Sequence, residues 1–434
     1  MRCQPLSRAL GFRTIMEHHE ISSLVSDIKN KESFNDFISF WLSNQTRIGD
    51  ISTLYTFDEV GNESPVEPLI GSYSDEKFFV RSIFSKKNVY FLNKAIWLEI
   101  MGQGGKDVPV DCVLSFDTQF GNYAVKYIKD PKFRDTEVGR SFHQLLMFVF
   151  KNKINPEFSF YLQENYANYI SGHEKEIKNQ IYALVKIVDS DKDWFIQTGE
   201  IRLSYGAEKL NSRVDEILGF YENKETLNHF NDMEHLQTSI ASLILKAALL
   251  RRTKLDKNEQ VKELVVFCHK MVSAILSLEL YVLSQWLMGK KIEFFDPING
   301  GDNLHTLPQK IHGMAWDFML LRHVERYCSV FQHDRYSLAY YSSFDRRMIE
   351  MSDLYKNRGC LFPPKNLFDR FLMIPELDLN AWYAEVIGDD LNGKIFNSDM
   401  WEYRDSNRPR PETLASLRRS LEFDLVKSYS RKKS

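Results

Sequence analysis

The stretch Val108–Phe120, VPVDCVLSFDTQF, constrains the fold more than any other part of the chain. Cys112, Val113, Leu114 and Phe116 are apolar on both parities. A strand with one wet face would alternate, so the pattern predicts a short strand buried on both faces, as in a parallel sheet covered by helices. The run stops on Asp117, followed by Thr118 and Gln119. Ligands of open α/β sheets sit just outside the carboxyl ends of the strands. An acid there is well placed for a metal if other acids join it.

The chain of 434 residues has room for about two or three domains, or for one domain with a large insertion. Its net charge is −3, so any nucleic-acid surface has to be a local patch. The five cysteines, Cys3, Cys112, Cys268, Cys328 and Cys360, are odd in number and contain no CxxC pair. That argues against a disulfide scaffold or a structural zinc and predicts a reducing, cytoplasmic setting. The longest apolar stretch, Met271–Met288, is interrupted by Glu279 and Gln285 and reads as a buried helix, not a membrane span. The basic start, MRCQPLSRALGFRT, lacks the apolar run of a secretory signal. Met16 opens a more ordinary start, so residues 1–15 read either as a disordered extension or as the product of an upstream start codon.

Apolar residues at steps of three and four predict helix over 17–48. Glycines and prolines then predict loops with short strands over 49–75. After Asp117 a helix is expected over Tyr123–Ile128. A polar stretch follows with Lys126, Lys129, Lys132, Arg134 and Arg140, which reads as solvated surface or as phosphate contacts. Ser141–Lys151 and Phe158–Ile170 are expected helices, and residues 174–295 are mostly helical without sustained heptads. His312–Ser329 is a further helix, and Tyr336–Tyr341 a second strand. It ends in Ser342-Ser343-Phe344-Asp345, after which Arg346 and Arg347 open a helix.

Four acids stand out. Asp117 and Asp345 follow strands. Glu164 shares a helix face with Phe160, Tyr161 and Ala167, and Asp317 heads the stripe Leu321, Val324 and Cys328. At about 4 Å two carboxylates repel by roughly 4 kcal/mol at an effective dielectric near 20. Four converging acids therefore call for a divalent cation. Oxygen-only ligands with no His or Cys select Mg²⁺ or Mn²⁺ over zinc. Such a site suits phosphodiester hydrolysis by metal-activated water. Arg346 and Arg347, next to Asp345, are the candidate substrate contacts. The alternative is an α/β protein whose four acids are caps and ion-pair partners.

The order Asp117-Thr118 after a strand, Glu164 and Asp317 on helices, and Ser343-Phe344-Asp345 after a later strand resembles the PIN-like nuclease family. The resemblance covers about residues 108–172 and 302–355. It implies a PIN-like three-layer α/β/α core with a parallel sheet and an acidic Mg²⁺/Mn²⁺ site that cleaves RNA. Asp117, Glu164, Asp317 and Asp345 would be the metal ligands, with Thr118 and Ser343 as supporting hydrogen-bonders. The separation of 153 positions from Glu164 to Asp317 exceeds the spacing of compact members and implies a large helical insertion. The expected organisation is an N-terminal accessory segment (1–105), the first core half (106–172), the helical insertion (173–301), the second core half (302–357) and a C-terminal helical segment (358–434).

Other chemistries lack their motifs. There is no GxxxxGK[ST] loop and no GxSxG elbow, and Gly102-Gln103-Gly104-Gly105 precedes a strand where a dinucleotide loop would follow one. His312, His323 and His333 are scattered and read as structural. By analogy, a toxin-like or phage-defence ribonuclease held in check by a protein partner is expected, with no membrane contact. An inactive nuclease-like scaffold, a regulatory subunit and a homo-oligomer stay open at this point.

Overall fold

In the computed structural model the described residues are 18–44, 51–58, 67–68, 72–94, 98, 110–299, 304–328, 331–332, 335–362, 372–397 and 400–430. Residues 1–15, Gly102–Gly105, His333 and the basic tail at 431–433 lie outside them. The described strands are β1 Ser52–Phe57, β2 Glu67–Pro68, β3 Tyr73–Ser74, β4 Phe79–Ser82, β5 Asn88–Leu92, β6 Val110–Phe116, β7 Asn155–Pro156, β8 Phe331–Gln332, β9 Arg335–Ser343, β10 Asn357–Phe362 and β11 Leu372–Pro375.

The predicted organising strand is β6, at the heart of a sheet ordered β3-β4-β9-β6-β7, with β8 against the start of β9. It pairs in parallel with β9 on one side and β7 on the other. Leu114 and Phe116 are fully buried, as the double-sided apolar run requires. The Phe116 ring stacks on Phe120 at 4.5 Å, and Phe120 meets Phe142 edge-on at 5.1 Å. These contacts tie β6 to helices Thr118–Lys129 and Glu137–Lys151.

The wholly parallel sheet expected from the sequence is corrected to a mixed one. β4 pairs with β9, and β3 with β4, in antiparallel fashion. β3 and β4 form a hairpin, which needs only a short turn, and that hairpin adds to the edge of β9. The apolar pair Phe79–Val80 is buried within β4. It thus covers the β9 side of the sheet from the apolar stretch that begins at Phe78.

A second, antiparallel sheet runs β11-β10-β1-β5-β2. Its side chains alternate between two cores, as the two-residue strand period dictates. Leu54, Val89, Phe91 and Cys360 join the main core. Tyr55, Phe57, Tyr90, Leu92 and Leu361 face helices His18–Lys29 and Phe34–Ser43. Phe37 stacks on Tyr55 at 5.1 Å across that interface. Residues 1–105 thus supply strands to both sheets, and residues 358–434 supply β11 and most of β10 besides helices.

Between Glu164 and Asp317 lies a run of helices, the longest being Lys224–Leu250. It packs on Leu307–Tyr327 and on Pro411–Ser430. Met271–Met288 begins with the end of a π-helical turn, Cys268–Val272, and becomes helix at Ser277–Leu287. Among the described residues no helix is long and apolar enough to cross a membrane. Arg322 joins the Ser277–Leu287 and Leu307–Tyr327 helices. It donates at 2.9 Å to Glu279 and at 2.9 Å to Glu325, two carboxylates with almost no exposure. Of the described cysteines, Cys268, Cys328 and Cys360 are buried and form no disulfide.

Candidate functional site

The parallel register of β6 and β9 brings two of the acids together. Phe116 lies opposite Ser342, so Asp117 and Ser343 leave the sheet side by side. The Ser343 hydroxyl donates to Asp117 Oδ2 at 2.9 Å and accepts the Asp345 backbone N–H at 3.0 Å. One serine thereby ties the Asp117 carboxylate to the backbone of Asp345.

Asp117 is also the N-cap of helix Thr118–Lys129, its Oδ1 accepting the Phe120 N–H at 3.1 Å. The helix starts earlier than the periodicity of Tyr123–Ile128 suggested, because the capping acid and not the apolar stripe sets the boundary. Glu164 reaches the same helix end from helix Ser159–Asn168, and its Oε2 accepts the Thr118 N–H at 2.7 Å. Gly121 allows this approach, since a Cβ there would stand 2.7 Å from the Tyr161 ring. Asn165, the residue after Glu164, donates to Thr118 Oγ1 at 2.8 Å.

Asp317 sits on helix Leu307–Tyr327, which packs against β6 and β9. It accepts no hydrogen bond from any described residue. All four acids are half-buried and reachable by water. Burial pushes Asp117 up to about 6, opposed by bonds from Ser343, Phe120 and Gln119 and aided by the charge of Asp345. Burial, then the charge of Asp117, pushes Glu164 up to about 7. Asp317 is raised well above the ordinary range by burial and then by Asp345, Asp117 and Glu164 together, with Arg347 opposing. Asp317 thus feels every other member of the set.

The predicted arginines occupy different places. Arg347 grips Asp345: its Nε donates to Oδ1 at 2.7 Å and its Nη2 to Oδ2. Arg346 is exposed and donates to the Asp75 carbonyl at 2.6 Å. Among the described residues, no three His, Cys, Asp or Glu side chains stand as a group that holds a metal ion. The four acids share one electrostatic field without sharing one coordination point. Of the histidines, His323 pairs with Glu157 at 3.0 Å and His312 bonds Gln237 and Trp316.

Sequence reasoning passed over Asn165, Gly121 and the Arg347–Asp345 pair. An amide directly after Glu164 and a glycine within an aromatic helix face were the available signals for the first two. No family model, no curated protein and no solved structure matches this chain.

Proposed function

We propose that this chain is a metal-dependent nuclease with a PIN-like core, hydrolysing phosphodiester bonds, RNA first among its substrates. The observation that carries the reading is the geometry: Asp117 and Glu164 accept N–H groups of the same helix end, Ser343 joins Asp117 to the Asp345 backbone, and the charges of these three acids act on Asp317. A carboxylate set on which burial and like charge both weigh is poised to take up a cation. Its oxygen-only chemistry fits Mg²⁺ or Mn²⁺. Asp117, Glu164, Asp317 and Asp345 would hold the ion, which when bound acidifies a water and steadies the leaving oxygen. Ser343 and Thr118 fix the orientation of Asp117 and Glu164 through the bonds described above. Arg347 pairs with Asp345 in the fold; a cation held by Asp345 would release it to meet a substrate phosphate, alongside Arg346.

Asp117→Asn is the decisive variant, because asparagine caps a helix as well as aspartate does but carries no charge. It should abolish Mn²⁺-dependent cleavage of a mixed pool of RNA and single-stranded DNA, as should Asp345→Asn. Cleavage that persists in both variants overturns the nuclease reading.

A second reading, an inactive nuclease-like scaffold or regulatory subunit, is favoured by the same Arg347 grip, which occupies a carboxylate that a cation would need. It predicts no heat on titrating millimolar Mg²⁺ or Mn²⁺ into the wild-type protein.

A further inference from the structure

Beside the acids the surface is open and basic. One stripe of helix Thr118–Lys129 carries Gln119, Asn122, Lys126 and Lys129 at steps of three, four and three, all exposed. Facing it are the π-helical turn Tyr169–His173 and the start of helix Glu174–Val188, which bring His173 and Lys175. Between these walls runs a groove of about 690 Å³. Gly172 lies in its wall with φ +100°, a left-handed conformation that a side chain resists. Turns of this π type inside helices are frequent at functional sites.

The charge in the groove is not balanced. Lys126, Lys129 and Lys175 face a single acid, Glu176, which stands 3.8 Å from His173. Lys129 donates to the neutral amide of Asn179 at 2.9 Å, and Lys126 lies over the Tyr123 ring at 5.5 Å. None of the three lysines forms an ion pair with a described carboxylate, unlike Lys178 on the next turn, which meets Asp215 at 2.7 Å.

The groove also abuts the acids. Its first residue, Gln119, follows Thr118, whose N–H holds Glu164. Tyr123 stacks on Phe344, the neighbour of Asp345, at 4.2 Å. Gln180, on the groove floor, takes the Tyr161 hydroxyl and donates to Asn122, joining the floor to the helix that carries Glu164.

We infer that this groove carries the phosphate backbone of single-stranded RNA on one side of the scissile bond. The inference rests on the nuclease reading for the position of that bond. From Gln119 to Lys129 the stripe rises about 15 Å at 1.5 Å per residue, enough for a short run of phosphates. Lysines contact phosphates as point charges and read no bases, so binding here is indifferent to sequence. The groove runs between two helical walls, and the inference commits to a single strand as its occupant.

The test measures binding of a fluorescein-labelled single-stranded RNA to the full chain by anisotropy, in EDTA, across a salt series. K126Q/K129Q/K175Q should bind more weakly at low salt and lower the slope of log K against log salt by about 2, at about 0.7 per lysine for single strands. All three side chains are exposed, so the thermal midpoint should not move. An unchanged slope, or equal binding of a duplex, overturns the inference. A lost slope without metal-dependent cleavage in the wild type leaves the groove standing and removes the nuclease reading. Cleavage with an unchanged slope does the reverse.

Discussion

Asp117 and Glu164 make the site a source of pH dependence. Their ordinary values are 3.8 and 4.5, against about 6 and about 7 in the fold. The folded chain therefore keeps protons that the unfolded chain has already released. The stability tied to these groups is complete below about pH 4 and is lost as pH rises through about 6 and 7. In the absence of divalent ions the thermal midpoint should fall across that window, and more steeply in the wild type than in a D117N/E164Q double variant. Circular dichroism melts from pH 4 to 8 check this, and parallel curves would refute it. Asp117 was legible as a strand-end acid. Its second duty as a helix cap was not, because the apolar stripe that marks the helix begins later than the cap.

Periodicity recovers most elements and misplaces some of their ends. The expected strand at Tyr336–Tyr341 extends to Arg335–Ser343, and the expected helix Phe158–Ile170 ends at Asn168 and turns π-helical. Both differences are set by hydrogen bonds that single-residue patterns do not contain. The helical block carries its own polar interior in Arg322, Glu279 and Glu325. Removing one partner of a buried ion cluster leaves uncompensated charge and costs about 3–5 kcal/mol. Arg322→Met should destabilise the protein by that amount in urea unfolding, because Glu279 and Glu325 would then face each other unneutralised. A change below about 1 kcal/mol, the level of an exposed pair, would show that water reaches them.

The whole molecule is interleaved. β1 and β5 from the N-terminal hundred residues pair with each other, and β1 pairs with β10 from beyond residue 356. β4 pairs with β9. A chain starting at residue 106 would lose β1 to β5 and uncover Leu54-facing and Phe79-facing core surface. We expect that fragment to aggregate or to lack a cooperative melt, as read by gel filtration and calorimetry. A soluble, cooperatively folding fragment would mean that the first sheet is dispensable.

The sequence by itself determined which residues are strands buried on both faces, which helices have an apolar side, and which acids sit at strand ends or on inward faces. These are local properties, written in periods of two and of 3.6 residues. Tertiary structure decided the rest: the parallel register that puts Asp117 beside Ser343, the antiparallel edge that makes the sheet mixed, the hold of Arg347 on Asp345, and the basic groove beside them. Each depends on packing between segments tens to hundreds of residues apart, and nothing in a local pattern encodes which distant partner a surface will meet.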